Sequence, residues 1–342
     1  MNAMHGFEFF KSFINKQFCY YRTTLSDVER KAYDKIRYGF LSYSKSILVF
    51  GLSLSQTQNV FEKIKQDNPW LFYVEAASYQ YAPVCQSGSV IPKYRFNKDE
   101  VNAILQAIIK KCIAMTTSLK NKTEFEKELE IHNYFCKSIY YDNDFAASSY
   151  ECVGPLLFGK GVCDGISKAV KLLFDFVDVE SLQVCGKSNQ QHDSAASLSE
   201  LHAWNIVKIN GAFYHLDVTF DLTVQAFGIV RYDYFNLSDQ EVLIDHAILS
   251  MLVPKCLTSN NYYKIRDLFL QTQNDYRELL VKSIRKGQRD IVFKLPNSNN
   301  IDITKKKLAA VTFEVLSSPF LPLSQYQLIS NDTQFVFHLH LS

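Results

Sequence analysis

The stretch His202-Ala203-Trp204-Asn205-Ile206-Val207-Lys208-Ile209-Asn210-Gly211-Ala212-Phe213-Tyr214-His215-Leu216-Asp217-Val218-Thr219-Phe220-Asp221 decides how this chain folds. Two alternating runs, Ala203 to Ile209 and Ala212 to Phe220, flank Asn210-Gly211, residues that readily adopt the positive φ of a tight hairpin turn. A two-residue turn pairs Ile209 with Ala212, and counting outward puts Trp204 opposite Asp217 and His202 opposite Thr219. His202 and Asp217 then become diagonal neighbours on one face of a sheet, within side-chain reach. One inserted residue would break that parity. His215 shares the face nearer the turn and is a second candidate base.

Upstream, Gly159-Lys160-Gly161-Val162-Cys163-Asp164-Gly165 leads into a helix expected from about Cys163 to Val177, because Ile166, Ala169, Val170, Leu173, Phe176 and Val177 recur at helical spacing. Cys163 therefore heads a helix. There, unpaired N–H groups and the positive end of the dipole favour thiolate over thiol and can hold a developing oxyanion. Gly161 and Gly165, with Asp164 between them, are candidate pocket residues where a substrate backbone could approach closely. Trp204 either walls that pocket or fills core. A thiol, an imidazole and a carboxylate, in the order Cys163, His202, Asp217, supply a nucleophile, its base and the group that orients the base.

Composition limits the alternatives. A chain of 342 residues that is 47% hydrophobic and 21% charged can bury a core, and its near-neutral charge of +2 gives no field for nucleic acid or anionic lipid. Lys305-Lys306-Lys307, the densest basic run, reads as a solvated helix face. The eight cysteines contain no CxxC pair, which suits reduced thiols in a cytoplasmic protein. The start of the sequence lacks a signal-peptide pattern, and no apolar run approaches the roughly 18 residues that span a bilayer. A zinc site from Cys163, Cys185 and His202 matches no common ligand spacing, and no acidic calcium loop is evident, so neither metal nor cofactor is expected.

Three parts are expected along the chain. Residues 1–120 read as a small α+β module: a helix from Ser26 towards Phe40, a strand at Ser46 to Phe50, a helix from Leu54 to Lys65, aromatic-rich strands Trp70 to Tyr81 and Val90 to Phe96, and a helix from about Asn97 to Thr117. Residues 121–255 carry the chemistry and open on a helix whose Phe125, Leu129, Phe135 and Ile139 form an apolar stripe, with His132 beside it read as structural. Residues 256–342 repeat the helix, strand, helix, strand, strand order of the first module, with Ile291-Val292-Phe293, Lys305 to Leu316, Pro322 to Leu328 and Phe335 to Leu341 in the corresponding places. His192 falls in a polar stretch, Ser188 to Ser199, read as an exposed loop near the site.

These segments resemble the transglutaminase-like superfamily, in particular its bacterial cysteine peptidase branch, similar to peptide N-glycanases and the kyphoscoliosis peptidase. The matching pieces are Glu130-Ile131-His132-Asn133-Tyr134 with Tyr140-Tyr141-Asp142, Gly159 to Gly165, His202 to Asp221, and Tyr234-Phe235-Asn236-Leu237-Ser238-Asp239 with Asp245-His246. The resemblance implies an α+β fold with a papain-like core, a cysteine-bearing helix packed on an antiparallel sheet, flanked here by small α+β modules. By motif, Cys163 becomes nucleophile, His202 base and Asp217 orienter. Ile166, Ser167 and Phe220 depart from the usual aromatic, alanine and tryptophan, which bears on pocket shape. The activity implied is acyl transfer on protein or peptide amide bonds through a thioester, with hydrolysis slightly favoured over transamidation. The alternative is a protein- or glycan-binding module that keeps the fold without turnover.

Overall fold

The computed structural model describes residues 13–82, 84, 87–189, 200–249, 252–298, 300–317 and 325–342. His192 and the start of the strand expected from Pro322 lie outside them.

The central element is a helix, α5 (Cys163–Phe176), whose apolar spacing is so dense that Ala169, Val170, Leu172, Leu173 and Phe174 are all buried. Each large side chain removed from water contributes about 1.5–3 kcal/mol. The polar residues that spacing forces inward are paired: Lys171 Nζ lies 2.6 Å from Asp175 Oδ1 one turn on, and Gln17 donates to the other oxygen at 2.9 Å. The helix packs on a five-stranded antiparallel sheet of order β8-β4-β5-β6-β7, where β4 is Ser181–Ser188, β5 Glu200–Ile209, β6 Ala212–Leu216, β7 Phe235–Leu237 and β8 His246–Ile248. The fold is thus α+β, with a cysteine-bearing helix on an antiparallel sheet.

The β5–β6 hairpin turns at Asn210 and Gly211, both at positive φ (50° and 83°), and pairs Ile209 with Ala212 through Asn205 with Leu216, the register the sequence requires. One expectation fails. The second strand ends at Leu216 instead of continuing to Phe220, because Asp217 caps a short helix, α6 (Val218–Thr223), accepting the Phe220 N–H at 3.0 Å.

Before the core come α1 (Asp27–Leu41), β1 (Ile47–Phe50), α2 (Leu54–Asp67), β2 (Val74–Ala82), β3 (Ser87–Tyr94), α3 (Lys98–Thr116) and α4 (Glu124–Ser138). The helix starts follow local chemistry. Ser26 with Glu29, Ser53 with Gln56, Asn97 with Glu100 and Thr123 with Glu126 each form a capping box. Trp70 and Leu71, expected in a strand, sit instead in the turn after α2, fully buried. A single apolar core runs from Ile14 through these elements to Phe235.

After the core, α7 (Gln273–Arg285), β9 (Asp290–Lys294), α8 (Ile301–Leu316), β10 (Tyr326–Asn331) and β11 (Val336–Leu341) enclose a second core that includes Tyr276, Phe293 and Phe337. Its sheet order, β9-β11-β10, matches β1-β3-β2 at the other end, with the last strand central in both. The two three-stranded sheets therefore share one strand order. Among the described residues, no helix is long and apolar enough to cross a membrane.

Candidate functional site

Cys163 is the first residue of α5 and is partly exposed. Gly159, at φ +70°, ends the preceding turn and redirects the chain towards it. The first intrahelical bond is Ile166 N–H to Val162 carbonyl at 2.9 Å, and Val162 offers no capping side chain. The N–H groups of Cys163, Asp164 and Gly165 therefore precede the helical ladder at the positive end of the dipole. The four capped helices upstream spend such donors on their own side chains.

The Cys163 sulfur is near enough to the His202 ring to act on its charge. His202 Nε2 lies 2.6 Å from Asp217 Oδ2, so Nδ1 is the nitrogen left for the sulfur. Trp204 stacks on the ring at 5.8 Å and 18°, and Phe220 covers it at 4.7 Å. Burial by itself would push the imidazole down. The Asp217 carboxylate and the Cys163 sulfur outweigh it and raise His202 to about 10. Burial opposes the charge of Asp217 likewise, yet the His202 and His246 rings hold its carboxyl well below the usual carboxylate range. The arrangement favours a charged imidazolium beside a carboxylate.

The structure brings Cys163, His202 and Asp217 together in one place. The other expected pocket residues serve differently. A Cβ on Gly165 would come 2.1 Å from the Ser149 carbonyl oxygen, and one on Gly161 would meet the Pro155 ring at 2.5 Å. The close approach at both glycines is made by the protein's own chain, where a substrate backbone was expected. Asp164 is tied to Lys168 at 2.8 Å and to Gln183 at 2.8 Å, locking the first turn of α5. Trp204 is fully buried and supports the imidazole.

Both nitrogens of His215 are engaged: Nδ1 accepts from Trp204 Nε1 at 3.0 Å, and Nε2 faces Asp239 at 2.9 Å. That removes it as a base and makes it the anchor of Trp204. His132 is wholly buried, 2.9 Å from Asp221 and stacked on Tyr232, as a structural histidine should be.

Other residues complete the site. His246 Nε2 lies 3.0 Å from Asp217 Oδ2 and its Nδ1 2.6 Å from Asp245 Oδ1. Tyr234 donates its hydroxyl to Asp245 at 2.6 Å. Tyr141 stands near Cys163, Glu200 and Tyr150, and burial first, then these neighbouring charges, push its phenol up to about 12. The adjacent acid and histidine at 245 and 246 are the sequence signal for the first pair, but nothing in spacing links them to Asp217.

Two clusters among the described residues have ligand-like composition, and neither fits a metal. His202 and Asp217 touch at hydrogen-bond length, shorter than the roughly 3.3 Å between two ligands of a tetrahedral zinc. At His215, Asp239 and Cys256, the Trp204 N–H occupies Nδ1 and so places the ring proton on Nε2, the nitrogen a metal would need. Burial and the Asp239 charge also keep Cys256 a thiol. Cys163, Cys185 and His202 do not converge as a ligand group.

Residues 111–218 match the family model of the transglutaminase-like superfamily, a span that contains Cys163, His202 and Asp217 and stops before His246. No curated protein matches the chain. Among solved structures, it is similar to a protein from Cytophaga hutchinsonii described as a candidate cysteine protease, with 14% identity and a TM-score of 0.28 over 39% of this chain and 52% of that one. It is also similar to a structure described as a TGase, with 14% identity and a TM-score of 0.30 over 51% of this chain and 50% of the other. The chain thus spans about half the length of these two structures. The segment 111–218, which carries the thiol and the imidazole, is thus similar to the transglutaminase-like superfamily.

Proposed function

We propose that the protein is an acyl-transfer enzyme in which Cys163 is the nucleophile, His202 the acid and base, and Asp217 the residue that orients His202. The observation that carries this reading is the buried His202–Asp217 pair, 2.6 Å apart, set beside a thiol at an open helix start whose sulfur acts on the His202 charge. The Cys163 thiolate attacks an amide carbonyl of a protein or peptide. The Cys163 N–H stabilises the oxyanion, and His202 gives its proton to the departing amine. A thioester remains, and water or a second amine resolves it.

Hydrolysis is the slightly favoured outcome, making the protein a peptidase or amidase that needs no cofactor; an amine acceptor would make it a transglutaminase. In this reading the catalytic core spans 121–255, the flanking modules 1–120 and 256–342 select the substrate, and the enzyme works in the cytoplasm. The test is mass spectrometry of a cell extract incubated with wild type or Cys163→Ala. New peptide termini or Gln-to-Glu conversions that only the wild type produces support hydrolysis, and new crosslinks support transamidation. Identical extracts would contradict the enzyme reading.

A further inference from the structure

The His246 ring is fully buried and has a carboxylate oxygen at each nitrogen, Asp245 Oδ1 at 2.6 Å and Asp217 Oδ2 at 3.0 Å. A neutral imidazole carries one proton and satisfies one of these contacts. The other would set a nitrogen lone pair against an oxygen lone pair at hydrogen-bond distance, a repulsion that burial makes costly. Both contacts are favourable only when both nitrogens donate. Asp245 also accepts from Tyr234 at 2.6 Å and from Gln334 Nε2 at 3.4 Å, and Asp217 accepts the Phe220 N–H, so each carboxylate is supported as an anion.

Asp217 Oδ2 receives His202 Nε2 as well, at 2.6 Å, and the His202 and His246 ring centres are 5.3 Å apart. Two imidazoles therefore share one carboxylate oxygen. We propose that His246 is a buried imidazolium fixed between Asp245 and Asp217, and that its charge limits how firmly Asp217 holds a proton on His202. It is a positioning residue, and its role in turnover rests on the acyl-transfer reading given above. The consequence is chemical. With His246 charged, His202 gives up its proton more easily, which is what protonation of a leaving amine requires.

The titratable groups facing His246 are Asp217, His202 and His215 from the hairpin side, and Asp245 and Tyr234 from the other. Asp245 lies on the far side of the ring from Asp217. Replacing His246 and Asp245 together thus removes the nearer cation and its own counter-charge, leaving His202 with an undivided Asp217.

Two measurements test the proposal. Nitrogen-15 NMR of histidine-labelled wild type at pH 8 reads the ring directly, with His246 assigned by contacts to Phe220 and Tyr234, whose rings lie 4.7 and 5.7 Å away. Two protonated nitrogens are expected, and one unprotonated nitrogen overturns the proposal whatever the enzyme does. The second is the pH profile of Cys163 alkylation by iodoacetate, an anion drawn to the thiolate by the neighbouring imidazolium. In the double variant His246→Gln with Asp245→Asn, the alkaline fall should move up by about one pH unit. An unmoved profile with a lower melting temperature reduces His246 to a packing role. Absence of preferential alkylation in the wild type would count against the acyl-transfer reading alone, because the NMR result stands apart from it.

Discussion

His202 and Asp217 meet at 2.6 Å although the strand pairing that should align them stops at Asn205 and Leu216, one residue short of the carboxylate. The hairpin delivers both residues to one face, and the cap of α6 then fixes the carboxylate by drawing its other oxygen to the Phe220 N–H. Asp217→Asn should keep that cap bond while losing the negative charge that stabilises protonated His202. We expect Cys163-dependent turnover to fall by about 10³- to 10⁴-fold, with a lowered melting temperature because a buried ion pair is broken. Single-turnover kinetics on a peptide found in the extract experiment would measure it, and a fall below tenfold would deny Asp217 its role.

The same pair makes stability depend on pH. His202 rises from 6.5 to about 10 on folding, so its contribution is complete below pH 6.5 and is lost as pH rises through 10. Asp217 is shifted down, so its contribution is present above about 3.8, the unfolded value, and is lost only in stronger acid. Urea unfolding should therefore show stability declining from pH 6.5 towards 10, by at most about 1.4 kcal/mol per pH unit from this group. The slope should flatten in Asp217→Asn. An identical slope in both proteins would mean that other groups set the alkaline limb.

Gly165 tests what the glycines beside the thiol are for. With a Cβ 2.1 Å from the Ser149 carbonyl, Gly165→Ala forces backbone to move and should cost about 3 kcal/mol. Thermal unfolding would show it directly. A variant of normal stability with only a raised KM would restore the expectation that substrate approaches there.

Glu128 is buried, accepts from Asn236 Nδ2 at 2.8 Å, and has its Oε1 unpartnered, as is the Asn236 Oδ1. Burial pushes this carboxyl well above its ordinary range. Stability from the protonated acid is full below its unfolded value and is lost as pH climbs through the folded one. Glu128→Gln supplies an N–H for Asn236 without a titrating group, so it should equal or exceed wild-type stability at pH 8. A loss of more than about 1 kcal/mol there would mean that Glu128 is needed as an anion.

The parts of this structure that were legible in sequence are those written in local chemistry. Capping boxes mark helix starts, Asn210-Gly211 fixes the hairpin register, and the apolar spacing after Cys163 sets the helix that presents the thiol. The strand end at Asp217 was hidden because alternating Val218, Thr219 and Phe220 suit a strand as well as a short helix, and only the capping carboxylate decides. The order of the central sheet was also hidden. β4 and β8 enter it from distant positions, and that pairing, His246 with Ser188, is what swings His246 against Asp217. Long-range pairing of this kind leaves no periodic trace.

The most direct test of the account is competitive alkylation of the native protein with limiting iodoacetamide at pH 7, followed by peptide mapping of its eight cysteines. An open helix start and a charged His202 predict that Cys163 is labelled first, and that His202→Ala removes this lead. Labelling of Cys163 no faster than of partly exposed Cys185, whose thiol burial pushes up to about 11, would contradict it.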